Sequence, residues 1–369
     1  MKIAYLTSVH LRTDIRVFEK MCERVAVNNA VVLLCADGKG NKFRKNLSIY
    51  DLGKSNNRFN RMWKTCNMIY SKALTINADI YHIHDPELIR IGLKLIKKGK
   101  KVVFDSHEDV SQQILDKQYW YPIFRVIFSK IYSLYEHLSL KKFHGIIAST
   151  PYIKKKLGKL NVNVVNICNY PTIKNFNQNS LNKRFNSKPI NICYVGTISE
   201  SRGIINLINS LELVKNDVVL NLAGYFSPKT LEKNIKKLPG WKKVKWYGFL
   251  DKHEFLKINN NLIGLVNLLK TPNHINSLPN KMFEYMSYKI PVLVSNFPLW
   301  KKIIKLNDCG ITCNPKDSND IAKKIDYLIN NKILLKKFSE NGYRACVNKY
   351  NWEFEYKKLM TFYKKIFKS

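Results

Sequence analysis

Two strand-like segments in the first half of the chain end in the same kind of chemistry. YHIHDPEL (81–88) closes on His84–Asp85, and VVFDSHEDV (102–110) closes on His107–Glu108–Asp109. Carboxylates accept hydrogen bonds and imidazoles donate them, so paired tips of this kind suit a ligand rich in hydroxyl groups. Both tips aim at the same edge if the two strands are parallel neighbours. A third polar cluster, SVHLRTDIRVFEKM (8–21), places His10, Arg12 and Arg16 at or just past the end of the first strand. The plainer reading of these clusters is helix capping, by Asp14, Asp85 and Asp109.

The second half offers two segments. In YVGTISESRGI (194–204) a strand ends, Gly196 permits a tight turn, and Arg202–Gly203 opens a helix. Backbone amides at a helix start beside an arginine form an anion site, although a simple strand-to-helix turn has the same pattern. In HINSLPNKMFEYMSYKIPVLVSN (274–296), Pro279–Asn280–Lys281 starts a helix and Glu284 follows one turn in. The helix dipole favours a carboxylate there. The same carboxylate can grip a pair of ribose hydroxyls while Lys281 and the helix amides face phosphates.

The elements that position these groups alternate along the whole chain. Strands are expected at 2–7, 31–36, 79–85, 101–107, 145–150 and 162–167, with helices at 15–26, 87–98 and 123–141. β-Branched runs between amphipathic helices indicate βαβ units and a parallel sheet. Residues 172–188 are rich in Asn, Lys and Ser and read as a linker. The rhythm restarts with strands at 191–196, 218–224, 244–249, 263–268, 291–296 and 310–315. The fold class is therefore α/β, with two doubly wound Rossmann-like domains at 1–171 and 189–350. A final helix, 351–369, is expected to pack back on the first domain. Ligands bind at the carboxyl ends of such strands, and two such sheets in succession suit a two-substrate reaction in a cleft between them.

Absent motifs narrow the chemistry. There is no GxxxxGK[ST], no GxGxxG after the first strand, no HExxH and no Asp-rich calcium loop, which argues against P-loop, dinucleotide and zinc-peptidase chemistry. The eight cysteines include no CxxC pair and read as free thiols of a reducing cytosol. Neither metal nor cofactor is expected. No leader is visible ahead of the opening strand, and no apolar run approaches the roughly 20 residues that span a bilayer.

The charge is lopsided, with 63 Lys+Arg against 27 Asp+Glu and a net +36. Such a chain attracts polyanions or an anionic membrane face, or simply follows a composition rich in Lys and Asn. No nucleic-acid-binding module is recognised, so nucleic acid is not an expected partner. Residues 119–143 interleave aromatics with Arg125, Lys130, Lys141 and Lys142. Their apolar side chains read first as core, and the start, Tyr119–Trp120–Tyr121–Pro122, reads alternatively as a lipid-facing tip.

Taken in order, SVHLRTDIRVFEK, HDPEL, VVFDSHED, YVGTISESRGI and SLPNKMFEYM followed by PVLVSNFP resemble the retaining glycosyltransferases of the GT-B fold, family 4. The likeness is greatest to bacterial members that build capsule, O-antigen, lipopolysaccharide or exopolysaccharide. It implies transfer of a sugar from a nucleotide-diphosphate-sugar to a glycan or lipid-linked acceptor, with retention and without a metal. The basic charge, with an acceptor carried on a lipid diphosphate, points to a peripheral place on the inner face of the cytoplasmic membrane. Glu284 matches the second of the family's two donor-side acids, and Asn276 stands where the first is expected, an amide in place of an acid. Arg202 stands at the family's lysine position and Thr197 where an arginine is common, so Lys281 is expected to supply the missing charge. His107 matches a histidine at the reaction centre. His84 and Asp85 match an acceptor-side strand tip. The resemblance thus assigns catalysis to His107, Arg202 and Lys281. Donor binding falls to Gly196, Thr197, Arg202, Asn276, Asn280, Lys281 and Glu284, and acceptor binding to His10, Arg12, Arg16, His84, Asp85 and Glu108. Competing readings are a sugar-nucleotide 2-epimerase on the same fold, a basic nucleic-acid-binding protein, and an inactive relative serving as a subunit.

Overall fold

Short aliphatic runs recur through both halves of the chain, and each becomes a buried strand flanked by helices. The computed structural model describes residues 1–116, 121–173, 188–251, 254–256, 260 and 262–368. They form two units, Met1–Asn169 with Trp352–Ser369, and Tyr170–Asn351.

The first unit is built on an eight-stranded sheet of order β3-β4-β2-β1-β5-β6-β7-β8. Its strands are β1 (Lys2–Leu6), β2 (Ala30–Cys35), β3 (Lys42–Arg44), β4 (Leu47–Asp51), β5 (Ile80–Ile83), β6 (Val102–Ser106), β7 (Gly145–Ala148) and β8 (Val164–Asn166). All pair in parallel except β3, which runs antiparallel to β4. Both faces of a parallel sheet need cover, which explains why the strands are apolar on both sides. One face is closed by α2 (Cys66–Ile76), α3 (Ile89–Lys97) and α6 (Pro151–Leu157), through Ile69, Leu95 and Leu157 among others. The other is closed by α1 (Ile15–Glu23) and α12 (Trp352–Lys368), through Val17, Met21, Trp352, Phe362 and Ile366.

The last helix is thus part of the first core. Gly145 makes room for it: a Cβ at that position would lie 2.4 Å from the Phe362 ring. Most of the expected linker, 174–187, lies outside the described residues. The β3–β4 hairpin was not expected. β3 is exposed along its length and gives no apolar signal, and β4 is held by pairing to β2.

A second difference concerns helix α5 (Pro122–Leu140), which follows α4 (Val110–Leu115). Its apolar residues were read first as core. Instead Ser129, Glu136, Ser139 and Leu140 face inward, while Ile123, Phe124, Ile127, Ile131, Leu134 and Leu138 face solvent. The cause is polar pairing beneath the helix. Glu136 sits 3.2 Å from Lys156 of α6, and the Ser129 hydroxyl donates to the Ser111 carbonyl at 2.9 Å. A buried carboxylate must keep its partner, so the polar side is the anchored one. Tyr119 and Trp120 lie outside the described residues.

The second unit carries a six-stranded parallel sheet of order β11-β10-β9-β12-β13-β14. Its strands are β9 (Ile190–Val195), β10 (Val218–Ala223), β11 (Val244–Trp246), β12 (Ile263–Val266), β13 (Val292–Ser295) and β14 (Gly310–Cys313). The helices α7 (Ile204–Leu213) and α10 (Ser318–Asn330) cover one face. On the other lie α8 (Asn280–Ser287) and α9 (Pro298–Asn307), and α11 (Lys332–Asn348) packs against α8. Helix α8 seats directly on the sheet because β12 carries a glycine. A Cβ on Gly264 would stand 2.3 Å from the Tyr285 ring, whose hydroxyl accepts a hydrogen bond from Val195 N at 2.9 Å.

Gly264→Ala therefore forces a buried, hydrogen-bonded ring to move, at a cost of about 1–3 kcal/mol. A thermal melt is expected to show the second unit destabilised by about 3–10 °C.

Candidate active site

In the first unit the carboxyl ends of β1, β5 and β6 meet around one carboxylate, Asp105, which is fully buried. Arg16 grips it with two hydrogen bonds, Nε to Oδ2 at 3.0 Å and Nη2 to Oδ1 at 2.8 Å. His107 Nε2 lies 3.3 Å from Asp105 Oδ2, His84 Nδ1 lies 3.5 Å from it and His82 Nε2 3.9 Å. The two histidine tips read from the sequence do converge, with His84 Nδ1 and His107 Nε2 3.1 Å apart. His82 turns its other nitrogen to the Tyr363 hydroxyl at 2.6 Å, and that hydroxyl donates to Tyr5 at 3.0 Å.

The loop after β1 completes the cluster. Asp85 Oδ2 accepts from Ser8 N at 2.6 Å, from the Thr7 hydroxyl at 2.8 Å and from Val9 N at 3.2 Å. This fixes His10, which binds Asp14 through Nδ1 at 2.9 Å and approaches Asp85 Oδ1 through Nε2 at 3.5 Å. The His10 and His107 rings lie 4.9 Å apart between centroids. Asp14 also caps α1, accepting from the amides of Arg16 and Val17, and Asp109 caps α4. Asp85 makes no cap and holds the β1 loop instead.

These contacts set the charges. Burial works to raise the Asp105 carboxyl, but the Arg16 guanidinium, with His107 and His84, outweighs it and holds the group well below the usual carboxylate range. Burial pushes His84 down to about 4 and His82 well below its ordinary value, so both are neutral near neutrality. Burial also opposes charge on His10, yet its bond to Asp14 and the charges of Asp85 and Asp105 raise it. His82, His84 and Asp105 lie close enough to share a metal ion. The bidentate Arg16 already neutralises that carboxylate, so the set fits an ion pair better than a cation site.

The expected acceptor residues therefore divide. His10 and Glu108 reach the surface, as does His107, which was expected at the reaction centre. Arg12 is buried, with Nε and Nη2 bound at 2.7 and 2.6 Å to Asp37. Arg16 is spent on Asp105. His84 and Asp85 are each 2% exposed and contact the more exposed imidazoles, His84 that of His107 and Asp85 that of His10. Sequence reading missed Asp105, His82 and Tyr363. The signal available for Asp105 was a carboxylate inside a strand otherwise apolar on both faces.

In the second unit a polar cluster gathers at the end of β9. Gly196 (φ +122°) and Gly203 (φ +69°) bracket the turn, and neither admits a side chain comfortably. A Cβ on Gly203 would meet the Asn267 carbonyl at 2.0 Å, and one on Gly224 would meet the Gly196 carbonyl at 1.9 Å. Backbone thus approaches backbone here, and the Leu269 amide ties the following loop to the Ser201 carbonyl at 2.9 Å. Lys281, in the first turn of α8, lays Nζ 3.5 Å from the centroid of the Tyr194 ring and within 3.6 Å of where a Gly196 Cβ would stand. Tyr194 is fully buried and its hydroxyl donates to the Thr197 carbonyl at 2.9 Å. Burial pushes its phenol up to about 12, while hydrogen-bonded Arg202 draws it the other way. Arg202, Lys281 and the Gly196 turn are therefore one cluster about Tyr194. Glu284 is half-buried on α8, three residues after Lys281 and on the same side of the helix. Thr197 is half-buried in the turn, Asn280 is exposed at the start of α8, and Asn276 ends the turn Pro272–Ile275.

His84 gives a pH dependence with a definite sign. Its folded value of about 4 lies below the ordinary 6.5, so the unfolded chain binds the extra proton first. The stability it contributes is present above pH 6.5 and is lost as pH falls toward 4. The melting temperature of the first unit is expected to drop over that window, and His84→Asn to flatten the drop, as followed by circular dichroism.

Comparison with known proteins agrees with this architecture. Residues 16–168 match the family described as Glycosyltransferase Family 4, and residues 175–345 match Glycosyl transferases group 1. A search of curated proteins gives no match. Among solved structures, a sucrose-phosphate synthase from Thermosynechococcus elongatus is similar over 99% of both chains, with a TM-score of 0.80 at 14% identity. A glycosyltransferase from Rickettsia africae is similar over 100% of this chain and 99% of its own, with a TM-score of 0.72 at 16% identity. Anabaena HepE, solved in complex with UDP and glucose, is similar over 99% of this chain and 100% of its own, with a TM-score of 0.71 at 13% identity. At these identities the structures attest the fold, and the two family matches attest the class of enzyme. With a Family 4 segment in its first unit and a group 1 segment in its second, the chain is a glycosyltransferase of the GT-B type.

Proposed function

We propose that the enzyme transfers a sugar from a nucleotide-diphosphate-sugar to a glycan acceptor, the second unit holding the donor and the first the acceptor. The observation that carries this reading is the pairing of Arg202 and Lys281 about Tyr194 at the Gly196 turn, with Glu284 on the same helix as Lys281. When the bond from the anomeric carbon to the diphosphate breaks, negative charge grows on the leaving phosphate. Two cations beside a glycine turn stabilise that charge without a metal, each by about 2–4 kcal/mol. Glu284 accepts hydrogen bonds from the ribose hydroxyls. Asn276 meets the sugar through an amide, which can donate as well as accept.

In this reading the acceptor hydroxyl comes to His107, with His10 beside it. Its oxygen forms the new bond to the anomeric carbon, its proton leaves with the nucleoside diphosphate, and configuration is retained. The acceptor is a lipid-linked glycan of bacterial surface polysaccharide synthesis, met at the inner face of the cytoplasmic membrane. The net charge of +36 supports that setting. UDP is the first nucleotide to test, since the HepE structure contains it.

Thermal-shift measurement with UDP, GDP, CDP and ADP is expected to single out one nucleotide. Near one hundred times its dissociation constant it should raise the melting temperature by about 5–10 °C. A chain that no nucleoside diphosphate stabilises lacks the proposed donor site. Glu284→Ala should abolish most of that shift. Arg202→Ala should lower turnover about 100- to 1,000-fold with the melting temperature of the free protein little changed.

A further inference from the structure

Helix α5 presents its apolar side outward, and it does not do so alone. Two short helical turns, Arg58–Asn60 and Arg61–Thr65, leave Phe59, Met62 and Trp63 exposed, Phe59 to 71% and Trp63 to 53%. Helices α2, α3 and α5 are neighbours on one face of the first sheet. Arg90 of α3 joins the two apolar areas. Its guanidinium lies 4.7 Å from the Trp63 ring and bonds the Met62 carbonyl, and its charge also acts on the Tyr135 phenol of α5. The segments 58–72 and 121–142 contain one acidic residue between them, Glu136, and that one is buried against Lys156. Their cations are Arg58, Lys64, Lys72, Arg125, Lys130, Lys141 and Lys142, with Arg61 already paired to Glu87 at 2.9 Å.

We propose that this two-part surface, Phe59–Trp63 and the outer side of α5 flanking Arg90, docks on an anionic lipid bilayer. It deepens the membrane setting of the proposed function and rests on that reading. Apolar side chains ringed by cations and free of exposed acid match a headgroup layer, in which rings enter the acyl boundary and cations meet lipid phosphates. A second copy of the chain is a poor occupant, because facing cations would repel one another. Nucleic acid would satisfy the cations and leave the aromatic and aliphatic side chains in water.

The test is flotation of the full chain with vesicles of phosphatidylcholine alone or with about 30% phosphatidylglycerol. The protein is expected to rise with the anionic vesicles and to be largely released by about 0.5 M salt. Phe59→Ser/Trp63→Ser and, separately, Ile127→Ser/Leu134→Ser should each lower the bound fraction about tenfold, since all four side chains are solvent-facing and leave the core intact. Glu284→Ala should float as the parent does, which separates this result from failure of the donor site. A parent protein that stays at the bottom, a pair of variants that both float like the parent, or a concentration-dependent dimer dispersed by these substitutions would each overturn the proposal.

Discussion

A carboxylate sealed from water is costly, and Asp105 is tolerable only because Arg16 answers it with two parallel hydrogen bonds. That one pair draws together parts of the chain far apart in sequence. Arg16 brings the start of α1 over the end of β6 and, through a third bond to the Ile167 carbonyl, fastens the end of β8. With its charge fixed, Asp105 becomes the reference point for three imidazoles. His82 and His84 are kept neutral by burial, and His107 is left at the rim. The chemistry available at the surface is set by groups that never reach it.

The second unit solves a different problem with the opposite means. Where the first uses a buried charge, the second uses missing side chains. Gly203 and Gly224 let backbone approach backbone at distances that a Cβ would forbid, Gly196 takes a backbone conformation that side chains rarely adopt, and Gly264 lets α8 lie against the sheet. The outcome is a lysine held over a tyrosine ring at the mouth of a tight turn. Its charge lies against the ring's negative face. Lys281 and Arg202 are thereby held together at the turn by contacts to one buried ring.

Much of this was legible in the residues. Runs such as IAYL and VLVS can only be buried parallel strands, and the restart at Ile190 marks the second sheet. Gly196, Arg202, Lys281 and Glu284 could be placed near one another because strand ends and helix starts in doubly wound sheets share one edge. Other features depended on pairing over long sequence separations. Nothing local to Arg12 announces that Asp37 will claim it, and nothing in VVFDSH says that Asp105 rather than His107 is the centre of the cluster. α5 misled because apolar periodicity identifies a side of a helix without saying which way that side faces. Glu136 and Ser129 decide the question, and only through partners on α6 and α4.

The return of α12 to the first sheet makes that unit discontinuous in the chain. Its core needs Trp352, Phe362, Tyr363 and Ile366, which are synthesised after the whole of the second unit. During translation, the second unit can close first, while the first waits with the Gly145 face of its sheet uncovered. Its His82 also waits without the Tyr363 hydroxyl. A stop codon within 352–368 would therefore cripple the first unit while leaving the residues of the second complete. The histidine cluster of β5 and β6 is completed only by Tyr363, 281 residues beyond His82 along the chain.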